Sequence, residues 1–314
     1  MRVMIHPDPI ARLLASVADL LAAARARHEA VGTEAALQAA TRFVDSFDAP
    51  PPVGAGFKYL PPEARALHAD VLGRNGQEGA AAFLFVALLV ALERSLASPR
   101  LQQLPARVLA HQLRHYERMV SDPEPTMRAC VLDSDLFLKE FGLASLRMVA
   151  AGSNLVDVNS GVGRSLLWKN GLRDLPRRLA IFARLGGFRP FFEIHAHKFH
   201  MAEFNEAGRN ECYRCCAELY ALHPEVRGMM AGSWFYDPVV ARISPRLAYL
   251  REVPERGGAH VLFDSFNEEA AGNAVAASAT RRKLVESGQY RPAGYVLLWP
   301  RAHQIAWARA EGAA

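Results

Sequence analysis

Apolar positions along this chain repeat with two different periods, and the change of period divides the sequence. From Pro9 to about Val120 the chain is rich in Ala, Leu, Arg and Glu, and apolar residues return every three or four positions, as in Ile10, Leu13, Leu14, Val17, Leu20 and Leu21. That spacing predicts a mostly helical half with about five helices. Its breaks are the loop Ala49-Pro-Pro-Pro-Val-Gly-Ala-Gly, the helix start at Pro61-Pro62, the glycines Gly76 and Gly79, and Ser98-Pro99. In Ser121-Asp-Pro-Glu-Pro-Thr two closely spaced prolines interrupt a helical pattern in a polar segment, which predicts a linker there. The expected division is a helical domain over 1–122 and a second domain over 123–314.

Past residue 143 the apolar runs become short or alternating and are bounded by turn residues. Leu146-Arg-Met-Val-Ala, Asn154-Leu-Val-Asp-Val, Arg189-Pro-Phe-Phe-Glu-Ile-His, Gly228 to Tyr236, Ala259-His-Val-Leu-Phe-Asp and Gly294-Tyr-Val-Leu-Leu-Trp-Pro read as strands. Helical stretches are expected between them at roughly 164–185, 207–222, 244–252 and 268–287. The fold class that follows is α/β or α+β, with a mixed sheet of five or six strands behind a helical amino-terminal half.

Composition narrows the choice of function. With 51% hydrophobic and 22% charged residues over 314 positions, the chain can build real cores. The net charge of +5 comes mainly from scattered arginines, without the basic runs and interleaved aromatics of a nucleic-acid groove. A mildly basic surface fits a small anionic ligand such as a phosphorylated cofactor. Met1-Arg-Val-Met-Ile-His-Pro-Asp-Pro does not resemble a secretion signal. The longest apolar run, Ala80 to Leu92, is shorter than the roughly 20 residues of a membrane span and reads as a buried helix. Four cysteines, Cys130 and the bunched Cys212, Cys215 and Cys216, make a poor disulfide framework. These features predict a cytoplasmic protein with a small-molecule substrate, no nucleic-acid partner and no membrane span, and a homodimer is compatible with them.

The densest chemistry follows the strand near 190. In Phe192-Glu193-Ile-His195-Ala-His197-Lys-Phe-His200, strand alternation puts Glu193, His195 and His197 on one face. A metal site (zinc or iron) could use His195 and His197 with His200, Glu203 or a thiolate from Cys212, Cys215 or Cys216. The plain alternative is a polar strand edge, with the cysteines as small core residues of the next helix. The segment Asn205-Glu-Ala-Gly208-Arg209-Asn210 opens that helix, so its backbone N–H groups could receive a phosphate, or Asn205 could simply cap it. Tyr249, on a short helix before a strand, is a candidate proton donor or a packed ring. His111 and His115 lie four apart without the glutamate of a zinc-protease motif and read as a solvated helix face. Asp157-Val-Asn159-Ser-Gly161-Val-Gly163 resembles the glycine-rich turn of class I methyltransferases, which would imply S-adenosylmethionine.

In the order of its elements, residues 145–301 resemble the GNAT acyltransferase superfamily. The strand at 189–197, the loop, the helix at 207–222, the strand at 227–236, the helix bearing Tyr249 and the strand at 259–264 carry the likeness. The resemblance implies an N-acyltransferase acting on a small amine or amino acid, with acyl-CoA or an acyl carrier protein as donor. It implies Glu193, or His195, as general base and Tyr249 as general acid. Asn205, Gly208, Arg209 and Asn210 would stand at the pyrophosphate loop, which in that family carries more glycines. The other readings are a metal-dependent enzyme, a methyltransferase and a non-catalytic binding protein.

Overall fold

The computed structural model describes residues 8–49 and 51–312. The stretch read for a secretion signal therefore lies almost wholly outside the described residues, as does Pro50 of the proline loop. The chain is α+β, with a helical first part and a mixed sheet in the second. It forms two compact units whose boundary falls between Ala151 and Gly152, later than the expected 122/123. The proline segment is no linker, because its first proline begins a helix. At the first helical position a proline has no N–H to satisfy and its φ is already helical.

The first unit consists of helices α1 (Pro9–Arg27), α2 (Glu29–Gly32), α3 (Glu34–Asp45), α4 (Pro62–Ala97), α5 (Pro99–Gln102), α6 (Ala106–Ser121), α7 (Pro123–Arg128) and α8 (Asp135–Ala144), and ends in strand β1 (Met148–Ala151). Helix α4 is long and apolar enough, by length and composition alone, to cross a membrane; 78% of its most apolar window is buried within the structure. The helix is interrupted at Gly76, and every residue from Ala82 to Leu92 after it is buried. Phe43, Phe83 and Phe141 meet edge to face around it, at 5.6 and 5.5 Å between ring centroids. His115 belongs to this core and not to a solvated face. Its Nε2 is 3.1 Å from Oε2 of the buried Glu140, and an Arg118 Nη2 donates to the same oxygen at 2.6 Å.

The second unit contains β2 (Asn154–Ser160), α9 (Leu175–Leu185), β3 (Phe191–Ala196), α10 (Glu206–Leu219), β4 (Gly228–Ser233), α11 (Val240–Ile243), α12 (Tyr249–Arg256), β5 (His260–Ser265), α13 (Glu268–Ala276), α14 (Ala279–Glu286), β6 (Gly294–Pro300) and α15 (Arg301–Gly312). The helix expected at 164–185 is realised only from Leu175, because Asn170-Gly171 turns the chain; residues 164–167 and 172–174 form 3-10 turns. The stretch at 268–287 is likewise two helices. Strand order is β2-β3-β4-β6-β5, with β3 and β4 parallel and the other neighbours antiparallel.

Strand alternation gives this sheet two apolar faces. Phe191, Met230, Leu262 and Leu298 pack with Ile181, Phe182 and Leu185 of α9. On the other face Phe192 stacks on Tyr220 at 4.9 Å, and Tyr213, Trp299 and Trp307 form a ring cluster against α10 and α15. Each such side chain contributes roughly 1.5–3 kcal/mol by leaving water. The buried Arg178 fastens α9 in place. It donates to Asp174 Oδ2 at 2.7 Å, to the Phe263 carbonyl at 2.9 Å and to the Leu166 carbonyl, and so links three segments.

Candidate active site

Strand β3 continues past the apolar cover of α9 with Glu193 and His195, which alternation puts on the same face as Phe191. Asp157 of β2 is the direct cross-strand partner of Glu193. Ligating atoms of Asp157, Glu193 and His195 all lie within 4.8 Å of one another. The Ser160 hydroxyl donates to Glu193 Oε2 at 2.6 Å, and His195 Nε2 is 3.7 Å from the same oxygen. Two carboxylates this close repel unless positive charge is shared among them. The set can therefore pass a proton through the imidazole or hold a divalent cation between oxygen and nitrogen donors.

His197 leaves this face. Strand β3 ends at Ala196, and His197 caps the 3-10 turn 198–203, its Nδ1 accepting from the Phe199 N–H at 3.4 Å; its ring lies 5.6 Å from that of His200. Cys212 is fully buried on α10 with Cys215 and Cys216. Of the groups read from the sequence as metal ligands, only His195 shares the cluster with Glu193. Asp157 and Ser160 were not singled out as site residues. The signal was there in a carboxylate flanked by Val156 and Val158 in an apolar strand, but only strand pairing shows that it faces Glu193.

The neighbouring parallel strands stay paired for a short distance. Phe192 and Glu193 lie in register with Met229 and Met230, whereas β3 runs on to Ala196 and β4 to Ser233. The parallel pairs end at Glu193 and Met230, and Ala196 and Gly232 near the ends of the two strands are exposed. Beyond these pairs β3 runs beside β2 as far as Ala196, and β4 beside β6 as far as Ser233. A cavity of about 230 Å³ begins at Gly232 and Ser233 on the β4 side and is lined further by Trp234, Asp264, Asn267 and Glu269.

At the start of α10 the expected pyrophosphate residues are occupied with packing. Asn205 caps the helix and accepts from the Gly208 N–H at 3.0 Å. Gly208 has no room for a side chain, since a Cβ there would collide with the Glu203 carbonyl oxygen and crowd Ser153. Arg209 is 2% exposed, and donates to Tyr213 Oη at 3.0 Å, Asn154 Oδ1 at 3.0 Å and Tyr236 Oη. Asn210 turns its amide oxygen into a buried position. Asn205, Gly208 and Arg209 are thus engaged in capping and packing the start of the helix. Tyr249 begins α12 and is half-buried; burial raises its phenol above the ordinary range, Arg209 pulls it back and Glu206 adds to the rise.

The glycine-rich turn after β2 does not form the strand–turn–helix unit that a methyl-donor site uses. Strand β2 runs antiparallel to β3, and a 3-10 turn follows Gly163. Comparison with family models, curated proteins and solved structures finds no match to this chain.

Proposed function

We propose that the second unit is an N-acyltransferase of the GNAT type that moves an acyl group from a thioester to a small amine. The observation that carries this reading is the short parallel pair β3/β4, whose register ends at Glu193 and Met230 between antiparallel neighbours. At the end of such a pair the extended arm of a thioester donor finds strand-like partners, and its carbonyl comes to lie beside a carboxylate. The start of α10 supports a carrier-bound thioester better than free acyl-CoA, because Gly208 and Arg209 are consumed by packing.

In this mechanism Glu193, oriented by the Ser160 hydroxyl, takes a proton from the acceptor nitrogen, with His195 beside it to share the charge. The amine attacks the thioester carbonyl, main-chain N–H groups at the end of the pair steady the oxyanion, and the C–S bond breaks. Tyr249, a phenol protonated at neutral pH and raised further by burial, gives its proton to the departing thiolate. The cavity bearing Asp264 and Glu269 suits a cationic acceptor.

A screen of acetyl and longer acyl thioesters, free and carrier-bound, against a panel of amines tests this reading. A donor at 100 times its Kd should stabilise the protein by roughly 2.7 kcal/mol. Transfer that survives both Glu193→Gln and Tyr249→Phe would refute the assignment. A second reading rests on the 4.8 Å grouping of Asp157, Glu193 and His195, which could hold a divalent cation of a metal-dependent enzyme. Stoichiometric zinc or iron lost on His195→Ala would decide for it.

A further inference from the structure

The opposite end of the parallel pair carries a different kind of site. Because β3 and β4 run in the same direction, the residues that lead into them meet at one end: Arg189 precedes β3 and Arg227 precedes β4, and the Arg227 N–H donates to the Pro190 carbonyl at 3.1 Å. Strand β2 runs the other way, so its exit loop with Arg164 arrives at that same end, where the Val162 N–H donates to the Phe188 carbonyl at 2.9 Å. Arg164, Arg189 and Arg227, with Gly187 and Phe188, line a cavity of about 660 Å³.

Two of these arginines run close to glycines. A Cβ on Gly161 would collide with the Arg189 side chain, and one on Gly186 would collide with the Arg227 guanidinium. Gly187 has φ +131°, a conformation that side chains disfavour, and a Cβ there would lie at ordinary contact distance from the Arg227 guanidinium. Arg227 Nε donates to the Arg189 carbonyl at 2.7 Å, which fixes the plane of its fork.

We propose that this cavity is a binding site for a phosphoryl group of a small organic phosphate. Arg164 and Arg227 bring two guanidinium forks to a cavity that Arg189 also lines, and a cleft lined by one sign of charge focuses its field on an incoming counter-ion. A single carboxylate is satisfied by one arginine fork, whereas a phosphate monoester carries about −1.5 to −2 charge and three acceptor oxygens, which match several forks together. Phe188, stacked on Phe182 at 4.2 Å, gives the site an apolar wall for the organic part. The volume lies within the roughly 300–1,000 Å³ of small-molecule pockets. None of these residues belongs to the Glu193 cluster, so the site stands or falls independently of the acyl-transfer reading.

Calorimetric titration of the full chain with inorganic pyrophosphate at low ionic strength tests the site, with succinate as a dicarboxylate control. The expected result is one pyrophosphate per chain, weakened at least tenfold by Arg227→Gln and again by Arg164→Gln, and unchanged by Glu193→Gln. Arg164 is exposed and is the variant least able to disturb folding. Arg227→Lys, which keeps charge but loses the fork, should fall between Arg227→Gln and the parent. No saturable pyrophosphate binding, affinity indifferent to Arg164→Gln and Arg227→Gln, or succinate binding as tightly through the same residues would each overturn the proposal.

Discussion

At one end of β3 and β4 the sheet gathers Asp157, Glu193 and His195 where the parallel pairing ends; at the other it gathers Arg164, Arg189 and Arg227 where the strands begin. Both groupings follow from the direction of the chain. Parallel neighbours put their entries together and their exits together, so chemistry encoded just before each strand collects at one end and chemistry encoded near the exits collects at the other. The antiparallel partner β2 contributes to both ends, with Asp157 in its body and Arg164 beyond it.

Variants at each end should separate the two functions, and the largest effect is expected at the acidic end. Glu193→Gln should lower acyl transfer by about 10²–10⁴-fold with folding intact, while pyrophosphate affinity stays at the parental value. Steady-state rates beside a titration show whether the ends are independent. The next largest effect concerns the support behind the acidic end. Arg209→Met removes three hydrogen bonds made by a buried guanidinium and leaves two buried phenol oxygens without this donor, which should cost about 2–4 kcal/mol in chemical denaturation. At the basic end, Arg164→Gln should weaken anion binding about tenfold at low salt and visibly less at high salt, since screening reduces the contribution of an exposed charge.

The smallest effect concerns pH. The Arg178 hydrogen bond holds the Asp174 carboxyl below its ordinary range, against an opposing contribution from burial. A carboxyl depressed in the folded state adds stability above its unfolded value, near pH 4, and that stability disappears as pH falls through the folded value. Melting temperatures between pH 2 and 5 should therefore decline less steeply for Asp174→Asn than for the parent protein. An identical slope would mean that the pair contributes nothing to acid stability.

Sequence patterns located most of the strands of this fold. The runs at 228–233, 260–265 and 294–300 are apolar and bounded by turn residues, which is the local signature of a strand. Asn205 signalled the start of α10 because its side chain caps the helix. What the sequence concealed was decided by partners far along the chain. Arg178 looks like one of many scattered charges and Arg209 like a cofactor-loop residue until the carbonyls and phenols that surround them are known. Gly161 suggested a cofactor turn, whereas its lack of a side chain makes room for Arg189. Glu193 and His195 were legible by alternation, but Asp157 could join them only through the register of β2 on β3, and His197 was lost because the strand stops one residue before it.

The four cysteines offer a further use. Cys212, Cys215 and Cys216 have no exposure on α10, and Cys130 is 2% exposed within the first unit; none is joined in a disulfide. A thiol reagent cannot reach such sulfurs in the closed state, so alkylation must wait for the surrounding segment to open. Three of these thiols keep time for one unit and the fourth for the other. The order in which mass spectrometry finds them modified, in mild denaturant or with a ligand added, would reveal which unit yields first and which one the ligand holds shut.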